Sequence, residues 1–393
     1  MSNKHKHIIV GGGFAGLRAA RLLANRNDVD VLVINPQLNF EYHGSLYRSA
    51  NGYSPLETVI PYREIFEGTD VLYQQDFMVD VDPVKKHIKL LSGQELGYDS
   101  LTLALGYEPE YFGIPGMREF SKTLYSLADA LELRKSLAQL AKQSFLKSAP
   151  ARVIVAGGGP TGVEVAASIT RFFEMITGDS RVEVTLIEAQ NRILAGLSED
   201  FTHQVERSLA NQIEIQCDKK VIRATKELLH IADGPAQAFD ILIWTAGSSA
   251  NSYFRQRSDI FEVDHKGRVL VNKYLQTNHD GLYVVGDSAA VMYSGSAHAA
   301  IEMGAYIASH LIAKLQSQNC AGFLPSQPEY AVPTGHETAV AMQGTKLIVG
   351  QEGWRLRREF DLRALSLIAS KEVAHAHWLR GEDFATIFSA AKL

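Results

Sequence analysis

The sequence predicts an α/β protein with two domains, each a parallel β-sheet between two layers of helices, and a small C-terminal region. Two observations carry this prediction. The 393 residues suffice for two or three domains of roughly 100 to 200 residues each. Two segments also repeat one order of elements: an apolar strand, a glycine turn, a helix and a second strand. Strands that alternate with helices in this way form parallel sheets.

The repeated elements and their neighbours can be placed along the chain. In the first repeat, the strand, glycine turn, helix and second strand are predicted at residues 7–10, 11–16, 17–25 and 29–34. In the second repeat, the same four parts are predicted at residues 153–156, 157–162, 163–173 and 182–187. A surface helix that bridges two lobes is predicted at residues 126–148. Two buried strands are predicted at residues 240–245 and 281–286, and a late helix at residues 296–315. The span 319–335 is rich in Pro, Gly and Ser and is predicted to link a separate C-terminal piece.

Composition argues against several other classes of protein. With 46% hydrophobic residues, 21% charged residues and a net charge of -5, the chain resembles ordinary globular proteins and not polybasic nucleic-acid binders. The two cysteines, Cys217 and Cys320, form no CxxC pair and belong to no Cys/His cluster, so we predict neither disulfides nor a metal site. Without a signal peptide or a run of about 18 apolar residues, we expect a cytoplasmic protein that does not span a membrane.

Both glycine turns match the pattern G-x-G-x-x-G. The first glycine allows the tight turn, the second lets backbone amides approach a pyrophosphate, and the third lets the helix pack close to the strand. The helix N-terminus favours the negative charge of that pyrophosphate. Two matches with flanking strands predict two Rossmann-like dinucleotide-binding domains. The turn residues are Gly11, Gly12, Gly13, Phe14, Ala15 and Gly16 in the first copy and Gly157, Gly159 and Gly162 in the second.

The residue that closes the second strand of each repeat is expected to bind the adenosine ribose. In the second copy this is Glu188, whose carboxylate accepts hydrogen bonds from ribose hydroxyls and repels a 2'-phosphate, so we predict a preference for NADH over NADPH. Arg192 follows four residues later and leaves NADPH as an alternative, and a solvated strand-end Glu is another. In the first copy the position is Asn35, which is either a ribose ligand or a turn residue before Pro36.

Three further segments resemble motifs of two-dinucleotide flavoprotein reductases. Residues 103–106 (LALG) and 245–247 (TAG) are similar to their two "ATG" segments. Residues 282–287 (LYVVGD) are similar to their late Gly-Asp motif, whose aspartate holds the ribityl chain of FAD. Within the FAD-dependent pyridine nucleotide oxidoreductase superfamily, the chain most closely resembles the type II, non-proton-pumping NADH:quinone oxidoreductases, over roughly residues 6–315.

This resemblance implies an NADH dehydrogenase in which hydride passes from NADH to non-covalently bound FAD and two electrons then pass to a quinone. It implies an FAD domain of residues 1–110 and 266–325, an inserted NADH domain of residues 111–265, and a C-terminal region of residues 326–393 for membrane contact or dimerisation. The implied FAD contacts are Gly11, Gly12, Gly13, Phe14, Ala15, Gly16, Asn35, Pro36, Val79, Ala104, Gly106 and Asp287. The implied NADH contacts are Gly157, Gly159, Gly162, Glu188 and Gly247.

Thiol chemistry is excluded by the segment after the first repeat. The disulfide reductases of this superfamily carry their redox cysteine pair there, whereas residues 40–48 read FEYHGSLYR. A sulfide:quinone reductase is disfavoured for the same reason. Two rival functions stay open, a reductase of a soluble iron-sulfur carrier and a redox sensor resembling the apoptosis-inducing flavoproteins.

Three residues are candidates for catalysis. Glu164 lies in the first turn of the second helix, where the resembled family has a glutamate near the nicotinamide and the flavin, although helix N-termini favour acidic residues in any case. His298 and Glu302 stand where that family commonly has two quinone-site glutamines. Their four-residue spacing puts them on one helix face, either as a proton relay to the quinone or as an ordinary helix pair.

The C-terminal residues 354–365 mix four arginines with large apolar residues. This composition suits contact with an anionic membrane surface, and a peripheral position on the inner face of the cell membrane is expected. The pattern fits a strand or a helix equally well. A dimer interface or a domain-packing element with solvated arginines is the alternative.

Overall fold

The structure, a computed structural model, describes residues 4–381. Its strands are β1 (His5–Val10), β2 (Val29–Asn35), β3 (Asn39–Glu41), β4 (Val59–Pro61), β5 (Leu72–Gln75), β6 (Met78–Asp82), β7 (His87–Leu90), β8 (Glu95–Gly97), β9 (Ser100–Leu103), β10 (Tyr107–Pro109), β11 (Ala151–Ala156), β12 (Val182–Ile187), β13 (Glu214–Gln216), β14 (Val221–Ala224), β15 (Leu228–Ile231), β16 (Gln237–Ala238), β17 (Ile241–Trp244), β18 (Ser248–Ala250), β19 (Leu282–Val284), β20 (Tyr330–Gly335), β21 (Thr338–Gln343) and β22 (Lys346–Gly350). Its helices are α1 (Phe14–Leu23), α2 (Leu46–Ala50), α3 (Tyr62–Ile65), α4 (Met117–Phe120), α5 (Leu127–Lys147), α6 (Pro160–Thr177), α7 (Glu199–Leu209), α8 (Tyr253–Gln256), α9 (Ala297–Leu315), α10 (Gln351–Ser366) and α11 (Lys371–Arg380).

The first parallel sheet has the strand order β19-β9-β1-β2-β5. All four neighbouring pairs are parallel. The apolar residues 8–10 of β1 are buried in its centre, as a strand covered on both faces requires. Because β19 comes more than 170 residues after β9 in the chain, the segment between them leaves this sheet and folds separately.

The second parallel sheet lies in that intervening segment and has the order β13-β12-β11-β17. Helix α6 follows β11, just as α1 follows β1, so each predicted repeat of strand, glycine turn, helix and strand is present. The short antiparallel pair of β10 and β18 lies where the chain passes between the two units. The predicted α/β fold with two parallel sheets is thereby confirmed.

The predicted bridging helix is α5, and its start follows from local chemistry. The Ser126 hydroxyl accepts a hydrogen bond from the Asp129 N–H, and the Asp129 carboxylate accepts one from the Ser126 N–H. This reciprocal capping box satisfies two backbone donors at the helix N-terminus. Leu133 and Leu137 are buried in the core of the second unit, while much of the opposite face is exposed.

The C-terminal region is not a separate piece, which corrects the prediction for residues 319–335. Residues 330–335 form β20, which joins β21 and β22 in an antiparallel sheet. Val332 and Val340 of this sheet belong to the apolar core of the second unit. Leu365 and Ala374 of α10 and α11 belong to the core of the first. The apolar residues of this region are therefore divided between both cores, and the region ties the two units together.

Helices α1 and α9 approach closely beside the first glycine turn. A Cβ atom at Gly304 of α9 would lie only 2.3 Å from the Ala15 carbonyl oxygen of α1. The contacting atom, the Ala15 carbonyl oxygen, belongs to the backbone and cannot turn aside as the end of a flexible side chain can. A Cβ atom at Gly304 would therefore push the two helix backbones apart. Glycine at this position thus sets the distance between the two helices.

We predict that Gly304→Ala lowers the free energy of unfolding by about 1–3 kcal/mol, the cost of overpacking a tight contact. Helix propensity alone would favour alanine by about 1 kcal/mol, so the sign of the change is diagnostic. The measurement is chemical denaturation followed by circular dichroism. Gly234→Ala, in an exposed turn with open space around it, is the control and should change stability by less than about 0.5 kcal/mol. Equal stability of the two variants would contradict the close contact.

Candidate functional site

A cavity of about 920 Å³ opens where β1, β2, β9 and β19 end on one edge of the first sheet. Ligands of open parallel sheets bind at this edge. The first turn of α6, the start of α9 and one face of α10 complete its walls. The predicted site residues that line it are Gly11, Gly12, Gly13, Phe14, Ala15, Asn35, Pro36, Ala104, Gly106, Glu164, Asp287, His298 and Glu302. The structure thus brings all three catalytic candidates to one cavity.

The first glycine turn is held from two sides. Gly11 has a φ of +111°, and a Cβ atom there would lie 2.1 Å from the Ala104 carbonyl oxygen, so the turn accepts no side chain. The Asn35 Oδ1 accepts a hydrogen bond from the Gly12 N–H at 3.0 Å, and the Tyr62 hydroxyl donates to the Gly12 carbonyl at 3.1 Å. No side chain within the described chain caps the N-terminus of α1, which leaves its first N–H groups for a ligand.

The second glycine turn repeats this arrangement with a charged residue. The Gly158 N–H donates to the Glu188 carboxylate at 2.7 Å, the same contact that an amide side chain makes in the first turn. Arg192 does not lie against this carboxylate. Its guanidinium donates at 3.0 Å each to the Ala195 and Leu197 carbonyls. Arg192 is therefore held by backbone carbonyls and is not paired with the Glu188 carboxylate.

Seven predicted cofactor-binding residues do not line the cavity: Gly16, Val79, Gly157, Gly159, Gly162, Glu188 and Gly247. Two of them, Gly16 and Gly162, lie against the backbone of the glycine turns. Cβ atoms at Gly16 and Gly162 would lie 2.1 and 1.8 Å from the carbonyl oxygens of Gly11 and Gly157, so these glycines let each helix pack close to its strand. A Cβ atom at Gly247 would lie 2.3 Å from the carbonyl oxygen of Glu110.

Val79, a predicted FAD contact, does not line the cavity, and its contact with FAD stays a prediction. Its side chain is 37% exposed and lies away from the cavity wall. Asp76, Phe77 and Met78 line the cavity instead. Successive side chains of a strand point to opposite faces, so Val79 of β6 faces away from Met78.

Asp287 presents a carboxylate to the cavity with little support from the protein. Its Oδ1 accepts one hydrogen bond, from the Gly295 N–H at 3.0 Å. Burial raises the pKa of Asp287 to about 6, and the bond from Gly295 offsets only part of that rise. A partly buried carboxylate with unfilled acceptor positions is suited to hydroxyl donors of a ligand.

Glu164 is buried and belongs to a group of charges that we term the Arg357 cluster: Glu164, Arg357, Asp361 and Tyr42. Arg357 Nη1 lies 2.5 Å from Glu164, and Arg357 Nε lies 3.1 Å from Asp361. The Tyr42 hydroxyl donates to Asp361, and Arg357 Nη2 donates to the Gly44 carbonyl at 2.6 Å. Burial raises the pKa of Glu164 above its usual range, and Arg357 offsets part of this rise.

A second buried charge group lies next to this cluster. Arg358 pairs with Glu57, which also pairs with Arg48 at 2.9 Å. Arg48 and Arg358 donate in turn to the carbonyls of Gly381 and Trp378, at 2.5 and 2.9 Å. Helix α11 is thereby attached to the segment that follows the first repeat.

These contacts correct the expectation that all four arginines of residues 354–365 are available to a membrane surface, while membrane contact by the segment stays a prediction. The segment is helical and lies in α10, and Arg357 and Arg358 are only 8% and 4% exposed. Of the four arginines, only Arg355 and Arg363 have largely exposed side chains, at 67% and 58%. Sequence reasoning missed Arg357 as a site residue because its partner Glu164 is 193 residues away. The spacing of Arg357 and Asp361, one helical turn apart, was the available signal.

His298 and Glu302 are joined through a residue that the sequence analysis missed. His298 Nε2 lies 2.8 Å from the Ser326 hydroxyl, which donates to the Glu302 carboxylate at 2.5 Å. The Ser326 N–H donates to the other Glu302 oxygen at 3.1 Å. The three side chains form a hydrogen-bonded chain beside the cavity, a geometry that can pass a proton.

We predict that Arg357→Met lowers the free energy of unfolding by about 3–5 kcal/mol, because it leaves the Glu164 carboxylate buried without a cation and removes one of the two arginines that pair with Asp361. The measurement is denaturant unfolding near neutral pH. Arg355→Met, an exposed arginine of the same helix, is the matched control and should cost less than about 1 kcal/mol. A small effect at both positions would contradict the buried pairing.

Comparisons with known proteins agree with this architecture. The model of the pyridine nucleotide-disulphide oxidoreductase family matches residues 5–304. A type II NADH:quinone oxidoreductase of Mycobacterium tuberculosis is 31% identical over 359 residues, covering 82% of this chain and 76% of the relative. Another from Staphylococcus aureus is 23% identical over 391 residues, covering 92% and 96%. The solved structure of NDH2 from Plasmodium falciparum in complex with NADH has the same fold, with a TM-score of 0.85, 18% identity and coverage of 97% and 99%. The chain belongs to the pyridine nucleotide-disulphide oxidoreductase family, and within it to the type II NADH:quinone oxidoreductases.

Proposed function

We propose that this protein is an FAD-dependent NADH dehydrogenase that passes electrons from NADH to a quinone. The observation that carries the proposal is the single cavity. It runs from the first glycine turn, past the N-terminus of α6, to the chain of His298, Ser326 and Glu302. A cofactor, a nucleotide and an acceptor can therefore meet within one cavity. The type II NADH:quinone oxidoreductases among its relatives support the same activity.

The residues at the first sheet fit FAD. The uncapped N-terminus of α1 and the side-chain-free turn at Gly11 suit a pyrophosphate. Asn35 stands at the end of β2, where it can meet the adenosine ribose, and Asp287 offers acceptor positions for the ribityl hydroxyls. FAD, when bound, supplies the two-electron chemistry that side chains do not.

The second glycine turn and its acidic partner are proposed to bind NADH. The Glu188 carboxylate at the end of β12 favours free ribose hydroxyls and repels a 2'-phosphate. Pro160 and Thr161 carry the start of α6 to the cavity wall, so a dinucleotide bound at this helix can reach the first unit. We propose that Glu164, held by Arg357, positions the reacting end of the nucleotide.

Neither Cys217 nor Cys320 lines the cavity, so no cysteine is proposed to relay electrons between a bound cofactor and the acceptor. The apolar side chains of Ile301, Ala364 and Leu367 line the same cavity as His298 and Glu302. This mixture suits a quinone ring, which is apolar but carries two oxygens that need protons on reduction. The pair His298 and Glu302 is proposed to deliver a proton through Ser326.

We further propose the domain limits and the location of the protein. Residues 1–110 and 266–325 are proposed to bind FAD, residues 111–265 to bind NADH, and residues 326–393 to serve membrane contact or dimerisation. Within residues 4–381 no helix is long and apolar enough to cross a bilayer. Because quinones dissolve in lipid, a peripheral position at the inner face of the cell membrane is proposed.

The proposal predicts a two-stage spectral change. Anaerobic addition of NADH to the purified holoprotein should bleach the flavin absorption, and a short-chain quinone should then restore it rapidly. NADPH should bleach it far more slowly at equal concentration, because Glu188 repels the 2'-phosphate. Bleaching without reoxidation by quinone would favour a carrier-protein reductase or a redox sensor, and a protein that binds no flavin would refute the proposal.

We predict that the affinity for FAD falls as the pH falls through about 6, the pKa that burial gives Asp287 in the flavin-free protein. Hydroxyl donors favour the ionised carboxylate, so below that pKa binding must first remove a proton, at a cost approaching tenfold per pH unit (roughly 1.4 kcal/mol). The measurement is fluorescence titration of the apoprotein with FAD across this pH range. Asp287→Asn should bind more weakly above pH ~6 and lose the pH dependence, whereas Asp259→Asn, a variant of an exposed carboxylate, should behave as wild type. A pH-independent wild-type affinity would contradict this role.

A further inference from the structure

Two histidines line the cavity, His43 and His298, and only His298 was anticipated. His43 lies in a 3-10 turn between β3 and α2, in the segment where the disulfide reductases carry cysteines. Its imidazole is exposed, and this exposure is toward the cavity. The established family activity and the proposed roles above do not use it.

The backbone that presents His43 is fixed on both sides by the Arg357 cluster. The hydroxyl of the preceding residue, Tyr42, donates to Asp361, and the carbonyl of the following residue, Gly44, accepts from Arg357. Two buried charge-assisted contacts therefore hold the neighbours of one imidazole. Such support from rigid neighbours is what a group needs in order to be positioned within a few tenths of an ångström.

The ring itself is oriented by aromatic residues. His43 Nδ1 lies 3.1 Å from the Tyr107 hydroxyl, and the edges of Tyr107 and Tyr125 contact the imidazole, with centroids 5.6 and 5.8 Å away. The other nitrogen, Nε2, has no hydrogen-bond partner among residues 4–381. One nitrogen is therefore used for orientation, and the other is left for a ligand in the cavity.

Reduction of a quinone to a hydroquinone requires one proton more than NADH supplies. NADH supplies two electrons and one proton and becomes NAD+, whereas the hydroquinone carries two new O–H bonds, so the second proton comes from water. We infer that His43 is a catalytic acid for this step: its imidazolium gives the Nε2 proton to a quinone oxygen as the electrons arrive. The neutral imidazole then regains a proton from water. This inference rests on the proposed function and adds a residue to its acceptor side.

Three groups face His43 and set its charge. Although the imidazole faces the cavity, the surrounding protein, including Tyr107 and Tyr125, partly desolvates it and lowers the pKa of His43 below its ordinary range, while the Glu41 carboxylate on β3 acts in the opposite direction. The imidazole is consequently mostly neutral at neutral pH and gains its proton as the pH falls. A rate that depends on imidazolium must rise toward acid pH.

His298 is less suited to this last transfer. Its Nε2 is already engaged by Ser326, and Glu302 lies 3.4 Å from the same nitrogen. A histidine paired in this way can relay a proton toward the cavity, whereas His43 has an unengaged nitrogen within it. The two histidines therefore have different places in one process.

The test compares His43→Gln with His265→Gln, a variant of an exposed loop histidine that does not line the cavity. Each holoprotein is reduced anaerobically with NADH and mixed in a stopped-flow instrument with a short-chain quinone or with ferricyanide, which takes electrons without protons. His43→Gln should slow reoxidation by quinone about 100-fold and abolish its rise toward acid pH. Reoxidation by ferricyanide should stay within twofold of wild type, and His265→Gln should match wild type with both oxidants.

An equilibrium measurement accompanies the kinetics. In oxidised protein with 13C-labelled histidine, the His43 resonance, assigned by its loss in His43→Gln, should titrate below the ordinary histidine range of about 6.5 and shift when a non-reducible quinone analogue is added. The inference would be overturned if His43→Gln left the quinone rate and its pH profile unchanged, or if it slowed reoxidation equally with both oxidants. It would also be overturned if the His43 resonance did not shift when the analogue was added. If quinone fails to reoxidise the wild-type protein while ferricyanide succeeds, the proposed function itself fails and the inference with it.

Discussion

The pairing of Arg357 with two buried carboxylates is the interaction on which the rest of the structure depends. One guanidinium from α10 contacts Glu164 of the second unit and, through Asp361 and Tyr42, the loop that follows β3 of the first. Burying any of these charges without its partner would cost several kcal/mol. The C-terminal region and both units are consequently held in one relative arrangement, because only that arrangement satisfies all the charges.

This constraint explains why a single cavity can serve a whole reaction. The same arginine that fixes Glu164 at the start of α6 also holds the Gly44 carbonyl, beside the imidazole of His43. The carboxyl edge of the first sheet supplies the cofactor-binding side of the cavity, α6 brings the nucleotide side, and α9 and α10 close the acceptor side. Binding, positioning and proton supply therefore rest on one rigid framework, and catalysis by a bound flavin requires the protein to provide little else.

Local signals in the sequence were sufficient for the fold and for half of the site. The strand, glycine turn and helix of each repeat are contiguous in the chain, so their periodicity and glycine spacing predicted β1 with α1 and β11 with α6. Long-range contacts were not predictable in this way. Arg357 looked like a surface arginine because its partner Glu164 comes from a distant segment. The direction of the Val79 side chain could not be predicted, because strand register depends on pairing. His43 and Ser326 escaped notice because their chemistry arises only when separate loops meet.

The central claim is that Glu164 and Arg357 stabilise one another across the boundary between the second unit and the C-terminal region. A double-mutant cycle of Glu164→Gln, Arg357→Met and the combined variant tests this directly through unfolding free energies. The account predicts a coupling energy of about 2–3 kcal/mol, with the combined variant more stable than the sum of the single changes implies. A coupling energy near zero would mean that the two charges do not interact and would contradict the account.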